Sequence, residues 1–184
     1  MFIRSERLFL RPGWPEDWEE LLPAIGDEGV VRNLARAPWP YLAEHAMEFA
    51  RRPQEKLLPH FLVTLPGAHG ARLIGSAGIS RHGGEVELGY WIAREWWGQG
   101  FATEAARAVL RLAMALGHRR IVAGHFEDNP ASGRVLLKAG FRPTGSRSQR
   151  YSAGRGAVAV SVDYAIDLGE DSDAPVPAMR LIAA

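Results

Sequence analysis

The stretch Tyr90-Trp91-Ile92-Ala93-Arg94-Glu95-Trp96-Trp97-Gly98-Gln99-Gly100-Phe101-Ala102-Thr103-Glu104-Ala105 decides how this chain folds. A strand ends, two glycines stand one residue apart, and a helical pattern begins at once. The first turn of a helix leaves four backbone N–H groups without intrahelical partners and carries the positive end of the macrodipole. Glycines lack Cβ atoms, so an anionic group can approach that backbone closely, and phosphate is the natural guest. A P-loop needs Lys and then Ser or Thr after its last glycine, whereas Phe101-Ala102 follows Gly100. The dinucleotide fingerprint needs a third glycine at position 103, which is Thr, and a purely parallel βαβ setting.

Outward from this turn, the pattern before it is a meander. His60–Leu65, Arg72–Ile79 and Glu85–Ile92 read as strands joined by the turns Pro66–Gly70 and His82–Gly84. After it, Gly100–Leu116 reads as a long helix with Ala105, Val109, Leu112 and Leu116 on one face and Gly117 placed to end it. Arg120–Phe126 is a strand, and Asn129–Ala139 a helix with Pro130 at its first position and Gly140 at its end. Two strands, near Arg142–Tyr151 and Ala157–Leu168, close the pattern. Before the meander, residues 2–11 read as one strand, and Asp17–Ile25, Glu28–Ala35 and Leu42–Arg52 as three helices. The expected fold is α+β, with one mixed sheet in which the strand–helix–strand passage brings parallel strands together.

The 184 residues favour one domain, at 1–168, with 169–184 as a loose tail, and at this length roughly 70% of the extended chain's surface is buried on folding. There is no cysteine, which excludes disulfides, thiolate metal sites and a Cys nucleophile. Lys plus Arg number 22 against 21 acidic residues, a net charge of +1 that gives no electrostatic case for nucleic-acid binding. No apolar run is long enough to span a membrane, and the opening Met1–Arg7 has no signal-like apolar stretch, so a cytoplasmic protein is expected. The six His show no metal-ligand spacing such as HExxH.

The glycine turn resembles the pyrophosphate loop of the GNAT superfamily of N-acetyltransferases, Q/R-x-x-G-x-G/A, through Gly100-Phe101-Ala102; Trp97 stands where that family usually has Gln or Arg. Glu87–Ile92 followed by Gly98–Ala105, Asp128–Ser132, Gly140-Phe141, Arg7–Pro12 and Pro38–Tyr41 are similar to the ribosomal-protein N-terminal (Rim-type) branch, covering residues 4 to about 168. The resemblance implies a mostly antiparallel twisted sheet of about seven strands flanked by four or five helices. A V-shaped splay would part its two central parallel strands. It implies acetyl-CoA as co-substrate, no metal, and an amine acceptor, either a peptide amino terminus or a small molecule. A homodimer is possible, and a non-catalytic acyl-CoA-binding module is the alternative.

By the same resemblance, main-chain groups of Tyr90, Trp91 and Ile92 pair with the pantetheine arm, a strand addition by ligand. Trp97, Gly98, Gln99, Gly100, Phe101, Ala102 and Thr103 cradle the diphosphate. Asn129 reads as a helix N-cap and, by resemblance, as a further contact to the arm. Ser132 is the branch's suggested acid for the departing thiolate; the Tyr that other members place four residues later is Leu136 here. A general base must accept the amine's proton. Glu87 is the first candidate if its face of the strand is the cleft side, and a solvated Glu if not. His125 is the runner-up, and His82 reads as an exposed turn residue. Arg94, Arg107, Arg134 and Lys138 flank the phosphate region. Trp39 and Tyr41 read either as walls of the acceptor pocket or as core aromatics.

Overall fold

The computed structural model describes residues 1–68 and 70–169, with the backbone of 181–182. In chain order the elements are β1 (Phe2–Arg4), β2 (Phe9–Arg11), α1 (Trp18–Ile25), α2 (Glu28–Val31), α3 (Ala43–Ala50), β3 (His60–Gly67), β4 (Gly70–His82), β5 (Glu85–Ile92), α4 (Phe101–Ala115), β6 (Arg120–Phe126), α5 (Pro130–Ala139), β7 (Arg142–Ser152), β8 (Ala157–Asp167) and β9 (Leu181–Ile182). All strands join one sheet in the order β7-β8-β6-β5-β4-β3-β2-β1-β9. Among the described residues only the β5–β6 pairing is parallel. The α+β class and mixed, mostly antiparallel sheet are as expected.

Two expectations need correction. The single first strand over residues 2–11 is a hairpin, because Ser5 N–H donates to the Leu8 carbonyl and Leu8 N–H donates to the Ser5 hydroxyl, closing a tight turn. The tail expected at 169–184 falls mostly outside the described residues, but Leu181–Ile182 pair antiparallel with Phe2–Ile3 as β9. Together these raise the count from about seven strands to nine among the described residues.

The sheet divides the interior. On one face α1, α2 and α3 pack a cluster that includes Leu21, Val31, Tyr41, Leu73, Trp91 and Ala93. On the other, α4 buries Ala105, Val109 and Leu112 against Ile74, Leu88 and Ile92, with Leu136 of α5 beside them. Strand alternation explains the split along β5: even positions 88, 90 and 92 face α4 and α5, and odd positions 91 and 93 face α1–α3. α4 ends at left-handed Gly117, where the His118 N–H reaches back to the Ala113 carbonyl. α5 begins at Pro130 under an Asn129 side-chain cap and ends at left-handed Gly140.

Candidate active site

Strands β5 and β6 share one registered pair, Glu87 with Val122, and then part. The register of β5 on β4 decides which groups the parting leaves open. Ala93 N–H donates to the Ile74 carbonyl, and Trp91 opposes Ser76, so the main-chain groups of 89, 91 and 93 turn toward β4. Those of Tyr90 and Ile92 turn into the splay. This corrects the expectation for Trp91, whose main chain lies on the β4 side and whose indole is buried among α1–α3. The Ile92 carbonyl is already met by the Trp97 indole N–H at 2.6 Å, so Ile92 offers the splay mainly its N–H.

The glycine turn lies at the open end of this splay. Gly98 and Gly100 both take left-handed φ values, +76° and +83°, which glycine adopts without strain. A Cβ on Gly98 would meet nothing within 4 Å. Gly100 is the N-cap of α4 and supplies no side-chain cap, leaving the N–H groups of Phe101, Ala102 and Thr103 to face outward. These features fit a diphosphate: a bare positive helix end beside an open, Cβ-free approach. Gln99 turns its amide to the Glu95 carbonyl, and Trp97 packs near Arg94. Arg94 itself pairs with Asp27, and Arg107 donates to the Lys138 carbonyl at the end of α5, so two of the four flanking cations have structural partners.

A cavity of about 110 Å³ penetrates the splay, lined by Glu87, Tyr90, Gly124, His125, Ser132 and Arg150 together with Asn33, Leu34 and Ala35. These residues come from both faces of the sheet. On the α1–α3 face, Glu87 is 8% exposed and held by both arms of the Arg150 guanidinium, the Nη2–Oε2 contact being 2.8 Å. Glu87 is therefore neither a solvated surface residue nor unpaired. Its hydrogen bond is the main reason that the Arg150 pKa is raised.

A roof covers this face. Ser152 Oγ donates to the Leu34 carbonyl, Ala153 N–H to the Ala35 carbonyl, and Arg155 Nε to the Arg32 carbonyl. Asp128 gathers Arg155 and Arg32, and its carboxyl is held below the usual range chiefly by the Arg155 hydrogen bonds.

On the α4–α5 face, Tyr90 reaches across the splay to the first turn of α5. Its hydroxyl lies 2.8 Å from Ser132 Oγ and 3.2 Å from the Ser132 carbonyl. Burial pushes the phenol up to about 12, against the lowering effect of the Ser132 hydrogen bond, so it stays protonated near neutrality. When it donates to Oγ, the Ser132 hydrogen is free to face the cleft. Asn129 Oδ1 accepts from the Ser132 N–H at 3.3 Å, the N-cap the sequence predicts. His125 is on this same side. Its ring tilts 5.5 Å from that of Tyr164, and its Nε2 lies 2.6 Å from where a Cβ would stand on Gly133, a helix position that only glycine leaves open.

Trp39 and Tyr41 do not line the cavity. Trp39 is exposed, and Tyr41 is a core aromatic whose buried hydroxyl, raised to about 12, donates to the His45 carbonyl. His82 is exposed but stands at the end of β4, paired with Glu85, and Leu136 is fully buried. Sequence reasoning missed Arg150, the Asn33–Ala35 roof and the Tyr90 hydroxyl. No local signal marks the first two, which reach the site over long sequence separations. The third was legible only in that an even β5 position shares the face of α5.

Residues 7–142 match the family described as acetyltransferase (GNAT) domain. The chain is 43% identical over 151 residues to the uncharacterized N-acetyltransferase YoaA of Bacillus subtilis (strain 168), covering 78% of this chain and 84% of that one. Its fold is similar to that of a GNAT-family acetyltransferase from Bacillus anthracis, with a TM-score of 0.78 and 25% identity over 91% of this chain and 99% of the other. It also resembles the microcin C7 self-immunity acetyltransferase MccE, solved with acetyl-CoA and AMP, with a TM-score of 0.73 and 17% identity over 89% and 93% of the two chains.

Proposed function

The chain belongs to the GNAT acetyltransferase family and is an acyl-CoA-dependent acetyltransferase, and on that premise we propose that it acetylates a primary amine by direct attack, with no covalent acyl-enzyme. The observation that carries this reading is the cavity between β5 and β6, lined from both faces of the sheet. One face carries the bare α4 terminus and the Tyr90–Ser132 pair; the other carries Glu87 under its roof. Donor and acceptor thereby approach from opposite sides, and much of the rate comes from their orientation. Residues 1–168 act as one catalytic domain.

Acetyl-CoA supplies an activated thioester. The amides of Gly98–Thr103 hold its diphosphate, and the N–H groups of Tyr90 and Ile92 face the arm and the charge that develops on the acyl oxygen. Glu87 accepts the amine's proton, directly or through water, because it is the carboxylate on the acceptor face. Arg150 fixes its position, and the carboxylate oxygens keep lone pairs beyond those the guanidinium uses. Ser132, with Tyr90 donating to its Oγ, delivers a hydrogen bond to the departing sulfur. His125, on the donor face and against α5, is poorly placed to serve the amine. The acceptor class follows the motif likeness to the Rim-type branch: a peptide amino terminus, or a small amine of similar size.

The test is release of free CoA thiol from acetyl-CoA across a panel of amino-terminal peptides, amino acids, polyamines and aryl amines. Acceptor-dependent release supports the proposal. Tight CoA binding with no release on any acceptor overturns it in favour of a binding module.

A further inference from the structure

The loop between β1 and β2 touches the glycine turn, and nothing in the proposed chemistry uses it. Arg7, at the centre of that loop, spans the turn and the first coil of α4. Its Nε donates to Glu104 Oε2 at 2.8 Å and its Nη1 to the Gln99 carbonyl at 3.1 Å. Its guanidinium lies 4.4 Å over the Phe101 ring. Its Nη2 lies 3.6 Å from where a Cβ would stand on Gly100. The Arg7 main-chain N–H and the Ser5 hydroxyl both donate to Glu104 Oε1, each at 2.7 Å.

Two physical consequences follow. Gln99 lies between the two left-handed glycines, and a glycine-flanked turn has the greatest backbone freedom to lose when it grips a ligand. Tying its carbonyl to a side chain that is also fixed to α4 removes that freedom in advance. The second is electrostatic. Glu104 suits the positive end of α4 but repels any anion held there. Arg7 offsets that charge, and its hydrogen bonds together with those of Ser5 keep the Glu104 carboxyl below its usual range against the opposing effect of burial.

We propose that Arg7 is a positioning residue for the diphosphate of coenzyme A: it braces the Gly98–Gly100 turn against α4 and neutralises Glu104, without itself being part of the chemistry. The proposal rests on the coenzyme A reading above.

Titration calorimetry with CoA, which needs no acceptor, tests it on five proteins: wild type, Arg7→Ala, Arg7→Lys, Glu104→Gln and the double variant Arg7→Ala/Glu104→Gln. Arg7→Ala weakens CoA about tenfold, the size of a charge effect at a partly buried helix end. Glu104→Gln in that background recovers part of the loss, because the repelling charge goes too. Arg7→Lys does not recover it, since one ammonium cannot reach both Glu104 and the Gln99 carbonyl. Once an acceptor is in hand, Arg7→Ala raises KM for acetyl-CoA with kcat within about twofold, and its defect is confined to the diphosphate donor when acetyl-pantetheine is compared. Wild-type binding of CoA with unchanged affinity in Arg7→Ala overturns the role of Arg7 alone. So does a double variant as weak as Arg7→Ala, or an equal loss with both donors. No binding by wild type overturns this proposal and the coenzyme A reading together.

Discussion

Glu87, Tyr90 and Ser132 carry the sharpest expectations at the scale of single residues. Glu87→Gln keeps the shape of the side chain but removes the proton acceptor, so kcat falls by about 10²–10³. Because one partner of a buried ion pair is lost, the same change costs about 3 kcal/mol of stability, read as a shift in the urea midpoint. His125→Asn keeps kcat within about threefold, and a fall as large as that of Glu87→Gln would move the base to the other face. Tyr90→Phe and Ser132→Ala each lower kcat about tenfold, and the double variant is no worse than either, because the two hydroxyls act as one unit. These residues were only partly visible in the sequence. Asn129 was legible because an N-cap followed by Pro130 is a local signal, whereas Ser132 was reached through family likeness. The Arg150 partner of Glu87 lies 63 positions away and leaves no periodic trace.

At the scale of elements, the grip on the donor depends on two left-handed glycines and an uncapped helix end. Gly98→Ala finds open space for its methyl but not a relaxed backbone, so it costs about 1–2 kcal/mol in thermal unfolding and weakens CoA binding by more than the fold suffers. A variant that loses stability yet binds CoA as well as wild type would contradict that role. α4, α5 and β5 were readable almost to the residue because Gly117, then Pro130 and Gly140, and the Gly83-Gly84 turn punctuate them. The first hairpin was not, since its turn is closed by the Ser5 hydroxyl, with no Gly or Pro to mark it. Hydrophobic alternation could not show the splay either. Parted and paired parallel strands carry the same side-chain pattern, so that expectation came from family likeness.

For the whole molecule, stability responds to pH through groups that take no part in the proposed chemistry. Burial, and then the charge of Arg52, push His60 from 6.5 down to about 4. Between those values the unfolded chain binds a proton that the folded chain does not, so stability falls as the pH drops from about 6.5 toward 4. His60→Gln flattens the melting temperature across this window. Below it, Asp128, whose depressed carboxyl anchors the roof, loses its stabilising charge as the pH falls through its lowered value, and Asp128→Asn removes that loss. The sheet order places Glu87 and Ser132 on opposite faces of one opening, a relation that no local pattern in the chain encodes. The account as a whole is tested most directly by amide hydrogen exchange, followed residue by residue with and without CoA. It predicts slowed exchange at Gly98–Thr103 and at Tyr90 and Ile92, with Trp91 unchanged. Unaltered exchange at these amides under saturating CoA would contradict it.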